Sequence, residues 1–302
     1  MVGIILAFCS GAFYSLSYVF VQKGMRQDKQ GDNGLFINLA LNVVFLSLVY
    51  LIMLIFREEP VEWSLYGILA FVLAGLLASF VGRATLFAGI RHIGSSRAVG
   101  IKNSAPVVTI LIAVLFLEER ITIWSGLGIL IILLGLFLFI REQWFPGGEG
   151  TTRGWVGFIL AGISAVCFGA GQVVRKLGIA VMPDPVLGSL LGTGVALLLY
   201  GIVTLSRKSL RTGLIDQIKN LNLYYILSSI SICLGLLSFF VAILFTQVAY
   251  VSAVAGIEPV LTVLLASLLL KKQEILDRNT VVSAVLVFSG IVIMALSSVL
   301  VN

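Results

Sequence analysis

The chain has 302 residues, of which 59% are hydrophobic and 11% are charged, and its mean hydropathy is +1.11. Soluble domains contain about 25% charged residues, so this composition excludes a water-soluble globular protein. The net charge of +6 is spread over short segments between apolar runs, and it does not indicate a nucleic-acid binding surface. The pattern instead predicts an all-α integral membrane protein, because about 20 apolar residues are needed to cross the hydrocarbon core.

The apolar runs predict ten membrane-spanning helices with short connections, which leave no segment for a soluble domain. The predicted spans, one to ten, are residues 2–21, 34–56, 65–90, 96–117, 121–140, 154–175, 186–205, 223–246, 251–270 and 279–300. No basic segment precedes span one, so we expect no cleaved signal peptide. Cys9, Cys167 and Cys233 lie within apolar runs, which predicts buried thiols rather than disulfides or metal ligands.

The first five spans are similar in sequence to the last five. Residues 3–24 align without a gap with residues 157–178, at an offset of 154, and residues 105–120 align with residues 258–273 at an offset of 153. The matched pairs include Gly3 with Gly157, Ser10 with Ser164, Pro106 with Pro259 and Thr109 with Thr262. Because five is an odd number, the second copy must cross the membrane in the opposite direction. Two inverted five-helix repeats are therefore predicted, at residues 1–145 and 153–302, an architecture common in secondary transporters.

On these motifs the chain resembles the drug/metabolite transporter superfamily, in the form with two EamA domains. The resemblance rests on SYVFVQKG and QVVRKLG at the ends of spans one and six, and on PVVTILIAVLFLEER and EPVLTVLLASLLLKKQE in spans four and nine. The family's Leu-Gly-Glu-Arg-like corner after the fourth span is LEER (117–120) here, whereas the second copy departs with LKKQE (270–274). The resemblance implies a central cavity walled mainly by spans one, three, four, six, eight and nine, and transport by alternating access.

The charges of the connections predict the orientation of the chain in the membrane. When Arg97 and Arg175 at the ends of spans are included, the connections on one side hold 14 lysines and arginines, and those on the other side hold 4. By the positive-inside rule both termini lie outside, whereas the family resemblance implies that both lie inside. In either orientation the termini share a side, and we expect the protein in the cell membrane.

Two ionisable residues of opposite charge lie deep in spans four and nine. Lys102 is about 6 Å from the centre of its span, and an ionisable group there costs about 3 kcal/mol unless it faces a cavity or a partner. Lys102 is predicted either to anchor a substrate carboxylate or phosphate, or to form a buried ion pair. Glu258 is the candidate partner, because spans four and nine are repeat-equivalent. The pair could be structural, or it could be a switch that substrate or a proton opens.

Three further basic residues fall inside or at the ends of spans. Arg83 lies well inside span three and is predicted to act either as a substrate anchor or as half of an ion pair, because its planar guanidinium binds carboxylate or phosphate through two parallel hydrogen bonds. Arg175 and Lys176 lie at the predicted end of span six. We expect both of these side chains to reach the membrane interface.

Neutral polar residues form a stripe in span one that has a counterpart in span six. The stripe is Ser10, Tyr14 and Tyr18, and its repeat partners are Ser164, Phe168 and Gln172. Residues four apart share one face of a helix, and two inverted copies of that face would form opposite walls of a single cavity. Tyr14, Tyr18 and Gln172 are therefore predicted to line the substrate site, with hydrogen bonding between helices as the alternative.

Asparagines and prolines add further candidates. Asn38 and Asn42 in span two are four residues apart, which predicts either cavity lining or hydrogen bonds between helices. Pro106 and Pro259 each remove a backbone donor and are predicted to kink spans four and nine, where a kink could open and close a gate. Asn103 precedes the first of these breaks and is predicted to face a polar ligand there.

Spans five and ten differ from the others, because no charge lies deep in either. Gly128, Gly135 and Gly290 allow close helix packing in these spans. We expect these two spans to form a scaffold or a homodimer contact.

Taken together, these features predict a secondary transporter of a small polar metabolite by alternating access. Arg83 and Lys102 outnumber Glu258, which favours an anionic or zwitterionic substrate such as an amino acid, an organic acid or a phosphorylated compound. One alternative is proton-coupled efflux of amphipathic cations through Glu258, and another is a cation channel or transporter, although channels need rings of carboxylates or carbonyls. With one histidine, no HExxH and no Walker A motif, we expect no enzyme activity, no metal and no cofactor. The expected partners are substrate and the lipid bilayer, without nucleic acid.

Overall fold

A computed structural model describes residues 1–27, 35–57, 63–117, 119, 121–144, 152–206, 222–269 and 278–300. Over these residues the chain forms ten helices and no strand. They are α1 (Val2–Gln27), α2 (Leu35–Phe56), α3 (Leu65–Ile93), α4a (Ser95–Lys102) with α4b (Ala105–Phe116), α5 (Ile123–Trp144), α6 (Thr152–Val181), α7 (Pro185–Ser206), α8 (Leu223–Phe245), α9a (Val248–Ala255) with α9b (Glu258–Leu269), and α10 (Arg278–Leu300).

These helices confirm the predicted ten-span membrane protein. Eight of them are long and apolar enough to cross a membrane, and α5 and α10 contain the shorter apolar stretches Ile123–Gly135 and Val285–Met294. Large apolar side chains such as Ile55, Leu115 and Phe116 are more than 70% exposed and would face lipid. The largest differences from the predicted boundaries are in α1 and α6, which both continue six residues beyond the predicted ends of their spans.

The fourth and ninth helices are interrupted at repeat-equivalent positions, as the prolines predict. In α4 the turn at residues 103–104 is held by N–H donation from Asn103 to the carbonyl of Val99 (2.9 Å) and from Ser104 to that of Ile101 (3.0 Å). In α9 the turn at residues 256–257 repeats both bonds at an offset of 153, with distances of 3.1 Å and 3.2 Å. Pro106 and Pro259 are each the second residue of the following half-helix. Because proline has no backbone N–H to donate, neither helix can continue its regular hydrogen bonding through the turn.

The two repeats also form the same tertiary hydrogen bond. The Ser10 hydroxyl in α1 donates to the carbonyl of Gly235 in α8 at 2.8 Å, and the Ser164 hydroxyl in α6 donates to the carbonyl of Gly82 in α3 at 2.8 Å. Ser10 and Ser164 are aligned by the repeat, and Gly82 and Gly235 are related by the offset of 153. Helices α3 and α8 therefore correspond residue by residue at this point.

This equivalence predicts matched effects on stability. Ser10→Ala and Ser164→Ala should each lower the free energy of unfolding by about 1 kcal/mol, because each removes one buried hydrogen bond of the same length. Thermal unfolding in detergent measures both variants against the wild type. A large loss in one variant without a comparable loss in the other would contradict equivalent packing of the two repeats.

The glycines of α5 and α10 are used in a contact within the chain. A Cβ atom added to Gly290 would lie 2.6 Å from the carbonyl oxygen of Gly128, and one added to Gly128 would lie 2.8 Å from the carbonyl oxygen of Gly290. A Cβ atom on Gly135 would lie 3.0 Å from the carbonyl oxygen of Ser283. The two helices therefore pack backbone against backbone, which supports the predicted scaffold role; the homodimer stays a prediction.

Candidate functional site

The interruptions of α4 and α9 meet at the centre of the protein. The Asn103 side chain donates to the carbonyl of Gly256 at 3.2 Å, and these residues occupy equivalent positions in the two repeats. Contact between equivalent residues places the pseudo-twofold axis between them. Lys102 directly precedes the interruption of α4, and Glu258 directly follows that of α9. The Lys102 ammonium lies 2.5 Å from the Glu258 carboxylate, and both side chains are about 95% buried. The predicted Lys102–Glu258 contact is thus confirmed.

Three aromatic rings surround the Lys102 ammonium. Its Nζ lies 4.8 Å from the ring centroid of Phe168, 5.6 Å from that of Tyr18 and 5.8 Å from that of Tyr14, all within the range of cation–π attraction. Tyr14 and Tyr18 stack on one face of α1, with centroids 6.2 Å apart. Tyr14 and Tyr18 of the α1 stripe and Phe168 of its α6 counterpart therefore lie around one ammonium. That the two stripes form opposite walls of a cavity and contact substrate stays a prediction.

Gln172 in α6 belongs to the same region but is bound to a neighbouring helix. Its side-chain oxygen accepts a hydrogen bond of 2.8 Å from the Thr109 hydroxyl of α4b. Thr109 is also within 3.2 Å of the Gly169 carbonyl. The predicted Gln172 therefore joins α6 to the half-helix that follows the interruption, and 8% of the residue remains exposed.

Arg83 is buried beside the asparagine pair of α2. Its Nη1 donates to the Oδ1 atom of Asn38 at 3.4 Å, and Asn42 donates to the same oxygen at 3.1 Å. The Asn38 amide nitrogen in turn donates to the hydroxyls of Ser228 (3.2 Å) and Ser229 (3.1 Å) in α8. Of the two predicted roles for Asn38, hydrogen bonding between helices is therefore observed, and its partners include a candidate substrate anchor.

The prediction that Arg175 reaches the membrane interface is wrong. Arg175 is 4% exposed, its guanidinium lies 5.3 Å from the ring centroid of Phe240 and 5.8 Å from that of Phe239, and it makes a polar contact with the Tyr14 hydroxyl. The reason is that α6 continues to Val181, so Arg175 lies within the helix rather than at its end. The apolar run LGIAVM (177–182) is the signal that could have revealed this.

Lys176 differs from its neighbour. Its ammonium is partly buried and donates to the carbonyls of Ile243 (2.7 Å) and Thr246 (3.3 Å) at the C-terminus of α8. A cation at this end of a helix satisfies carbonyls that lack partners within the helix. Lys176 thus stabilises the C-terminal end of α8.

The buried charges of the centre are unbalanced among the described residues. Lys102, Arg83 and Arg175 are each at most 4% exposed, and Glu258 is the acidic residue buried with them. In the described ranges Lys102 has the only salt bridge of the three cations, and the carboxylates of Asp184 and Glu119 are engaged elsewhere. Asp184 pairs with Arg57 at 2.6 Å, and Glu119 accepts the N–H groups of Val248 and Ala249 at the start of α9a.

A π-helical segment leads into Arg83. Residues Gly75–Gly82 of α3 form this wider helix, which begins where Gly75 contacts Gly192 of α7. Such segments are uncommon and occur often at functional sites. Nothing in the sequence predicts this π-helical segment, because its glycines and apolar residues are equally compatible with a regular α-helix. Arg83 is the first residue after this segment.

Leu117 and Glu119 are the described residues of the LEER corner. The two carboxylate oxygens of Glu119 accept from Val248 (3.0 Å) and Ala249 (3.2 Å), so the corner caps the N-terminus of α9a. Glu118 and Arg120 lie outside the described residues, as does the divergent LKKQE segment of the second copy.

Comparisons with known proteins agree with this architecture. A model of the EamA-like transporter family matches residues 1–141 and 155–296. Among curated proteins none matches the chain. A solved structure described as "Crystal structure of protein" has a TM-score of 0.62 at 14% sequence identity, covering 98% of this chain and 98% of that chain. At this identity the likeness shows the fold alone.

Proposed function

We propose that this chain, which belongs to the EamA-like transporter family and is therefore a membrane transporter, moves a small organic anion or zwitterion across the cell membrane. The observation that carries the proposal is the charge of the central cluster, which consists of Lys102, Arg83, Arg175 and Glu258. Three buried cations face one carboxylate among the described residues. Buried charges are costly unless they are paired, so a substrate that brings negative charge would be the most stabilising occupant.

The surrounding groups suit such a substrate. Tyr14, Tyr18 and Phe168 would contact its organic body, and Asn103 and Gln172 would orient its polar groups. Lys102 is already compensated by Glu258, so it would bind a substrate carboxylate only by exchanging partners, which is a switch that could couple binding to movement.

Alternating access is proposed from the two interruptions. They lie at the pseudo-twofold axis, where a change of angle between α4a and α4b, or between α9a and α9b, would expose the cluster to one side and then to the other. Pro106 and Pro259 would act as the hinges of this gate, since they prevent either helix from continuing through its turn.

Efflux of amphipathic cations has less support. It requires Glu258 to be available for a proton or a cation, whereas this carboxylate is bound by Lys102 at 2.5 Å. A cationic substrate would also enter beside Arg83 and Arg175, which would repel it.

Thermal unfolding of the purified protein with matched ligands tests the proposal. The ligand set would be an amino acid, the same molecule without its amine, and the same molecule without its carboxylate, repeated for several side chains. A ligand that binds the folded state raises the melting temperature by mass action. We expect shifts with carboxylate-containing members and none with the amines; the opposite pattern would replace the proposal with cation transport. Uptake of the stabilising compound by proteoliposomes then confirms transport.

A further inference from the structure

We propose that Arg83 and Arg175 form a subsite for a compact dianionic group, either a phosphate monoester or a short dicarboxylate, distinct from the Lys102–Glu258 pair. The proposal rests on the proposed function, since it specifies the charge of the transported anion. Each of these arginines comes from a different repeat, Arg83 from α3 and Arg175 from α6, so the subsite spans the two halves of the protein.

The repeat-equivalent positions of the other copy show whether the fold itself requires a charged residue at these two places. The offset of 153, supported by the matched bonds to Gly82 and Gly235, relates Arg83 to Leu236. The offset of 154 in the first and sixth spans relates Arg175 to Val21. Leu236 is 1% exposed and Val21 is 0% exposed. At both positions the other copy packs an apolar side chain, so the fold does not need a charge there.

Among the described side chains, no carboxylate forms a salt bridge with either guanidinium. Arg83 donates to the amide oxygen of Asn38, and Arg175 lies against the faces of Phe239 and Phe240. Arg175 also contacts the Tyr14 hydroxyl, and the helices that carry the two arginines are packed together, since a Cβ atom added to Gly171 of α6 would lie 2.8 Å from the Cβ atom of Ala78 of α3. A guanidinium carries five N–H donors in a planar fork, so donors remain on both groups for a shared ligand near Tyr14.

The charge of the ligand follows from this arrangement. Because Glu258 neutralises Lys102, the charges that remain are those of the two arginines. A monoanion would leave one guanidinium buried without compensation, whereas a dianion would compensate both. Phosphate and carboxylate oxygens also match the two-bond geometry that guanidinium groups prefer.

Binding measurements on charge-matched ligand pairs test the subsite. One pair is a phosphate monoester and its parent alcohol, and the other is a short dicarboxylate and the corresponding monocarboxylate. The variants are Arg83→Leu and Arg175→Leu, with Arg26→Leu at the exposed end of α1 as a control that keeps the cluster intact. Thermal shifts against ligand concentration give the dissociation constants, and the melting temperatures without ligand report folding.

For the wild type we expect at least one dianion to bind about tenfold or more tightly than its partner of lower charge. Each cluster variant should weaken binding of that dianion about tenfold or more, the expected loss of one charge-assisted contact. Each should also reduce the preference for the second negative charge, which a purely structural arginine would not do. Arg26→Leu should leave both values unchanged. Whether the phosphate or the dicarboxylate pair gives the effect identifies the source of the charge.

The outcomes separate the two proposals. If monoanions or zwitterions bind and a second negative charge gives no gain, the dianion subsite is overturned and the proposed function stands. If only cations bind, both are overturned. If dianions bind equally to wild type and both variants, the ligand charge is retained but the assignment to Arg83 and Arg175 is overturned. A ligand-free melting temperature that collapses in both variants would instead assign the arginines a structural role and overturn the subsite.

Discussion

Replacing Glu258 with Gln should lower the free energy of unfolding by about 3–5 kcal/mol, the cost of breaking a buried ion pair. The substitution leaves the Lys102 ammonium buried among three aromatic rings without a carboxylate. Lys102→Gln should cost a similar amount, because it leaves the carboxylate unpaired. The double variant Lys102→Gln with Glu258→Gln should recover most of the loss, since the two amides can bond to each other.

The four proteins form a double-mutant cycle, which isolates the coupling between the two side chains. Chemical or thermal unfolding in detergent gives each free energy, and monodisperse elution confirms that each variant folds. Additive losses in the double variant would show that the two side chains are not coupled in the folded protein. The repeat supplies a reason to expect recovery, because the positions equivalent to Lys102 and Glu258 are Ala255 and Ala105, which are at most 4% exposed.

The same variants test whether the pair is a proton switch. If Glu258 takes up a proton during transport, Glu258→Gln should remove the pH dependence of uptake between pH 5 and 8, on the order of the range over which buried carboxylates titrate. An unchanged pH profile in that variant would leave Glu258 with a structural role only. Uptake is compared at equal amounts of folded protein in proteoliposomes.

Gly75→Ala should be the second severe substitution, with a loss of about 3 kcal/mol or more in the free energy of unfolding. An added Cβ atom would lie 2.2 Å from the carbonyl oxygen of Gly192 and 2.5 Å from its Cα atom. Both are backbone atoms, so α3 and α7 would have to separate. The contact lies at the start of the π-helical segment that leads to Arg83, so we also expect ligand affinity to fall in any protein that folds.

Gly194→Ala is the matched control for this prediction. It lies on α7, two residues from Gly192, and an added Cβ atom there meets nothing within 4 Å. Alanine is favoured over glycine in a helix by up to about 1 kcal/mol, so this variant should be as stable as the wild type or slightly more stable. Similar melting temperatures for Gly75→Ala and the wild type would contradict the close approach of α3 and α7.

Several features of this protein follow from the sequence by itself. The ten spans are determined by local hydropathy, because a run of about 20 apolar residues satisfies the membrane whatever surrounds it. The inverted repeat follows from matches at constant offsets, and the interruptions follow from Pro106 and Pro259. These features were sufficient to predict the contact between Lys102 and Glu258, because the symmetry of the repeats places equivalent segments at a common axis.

Other features were decided only by the tertiary structure. The sequence shows how deep Arg83 lies, but its hydrogen bond to Asn38 depends on how α3 packs against α2. The burial of Arg175 depends on how far α6 continues and on which face of α6 packs against Phe239 and Phe240 of α8. The depth of a residue in the membrane follows from the hydropathy of the residues near it in sequence. The direction of its side chain around the helix depends instead on the residues near it in space. The balance of charge at the centre is therefore a property of packing, and hydropathy alone does not contain it.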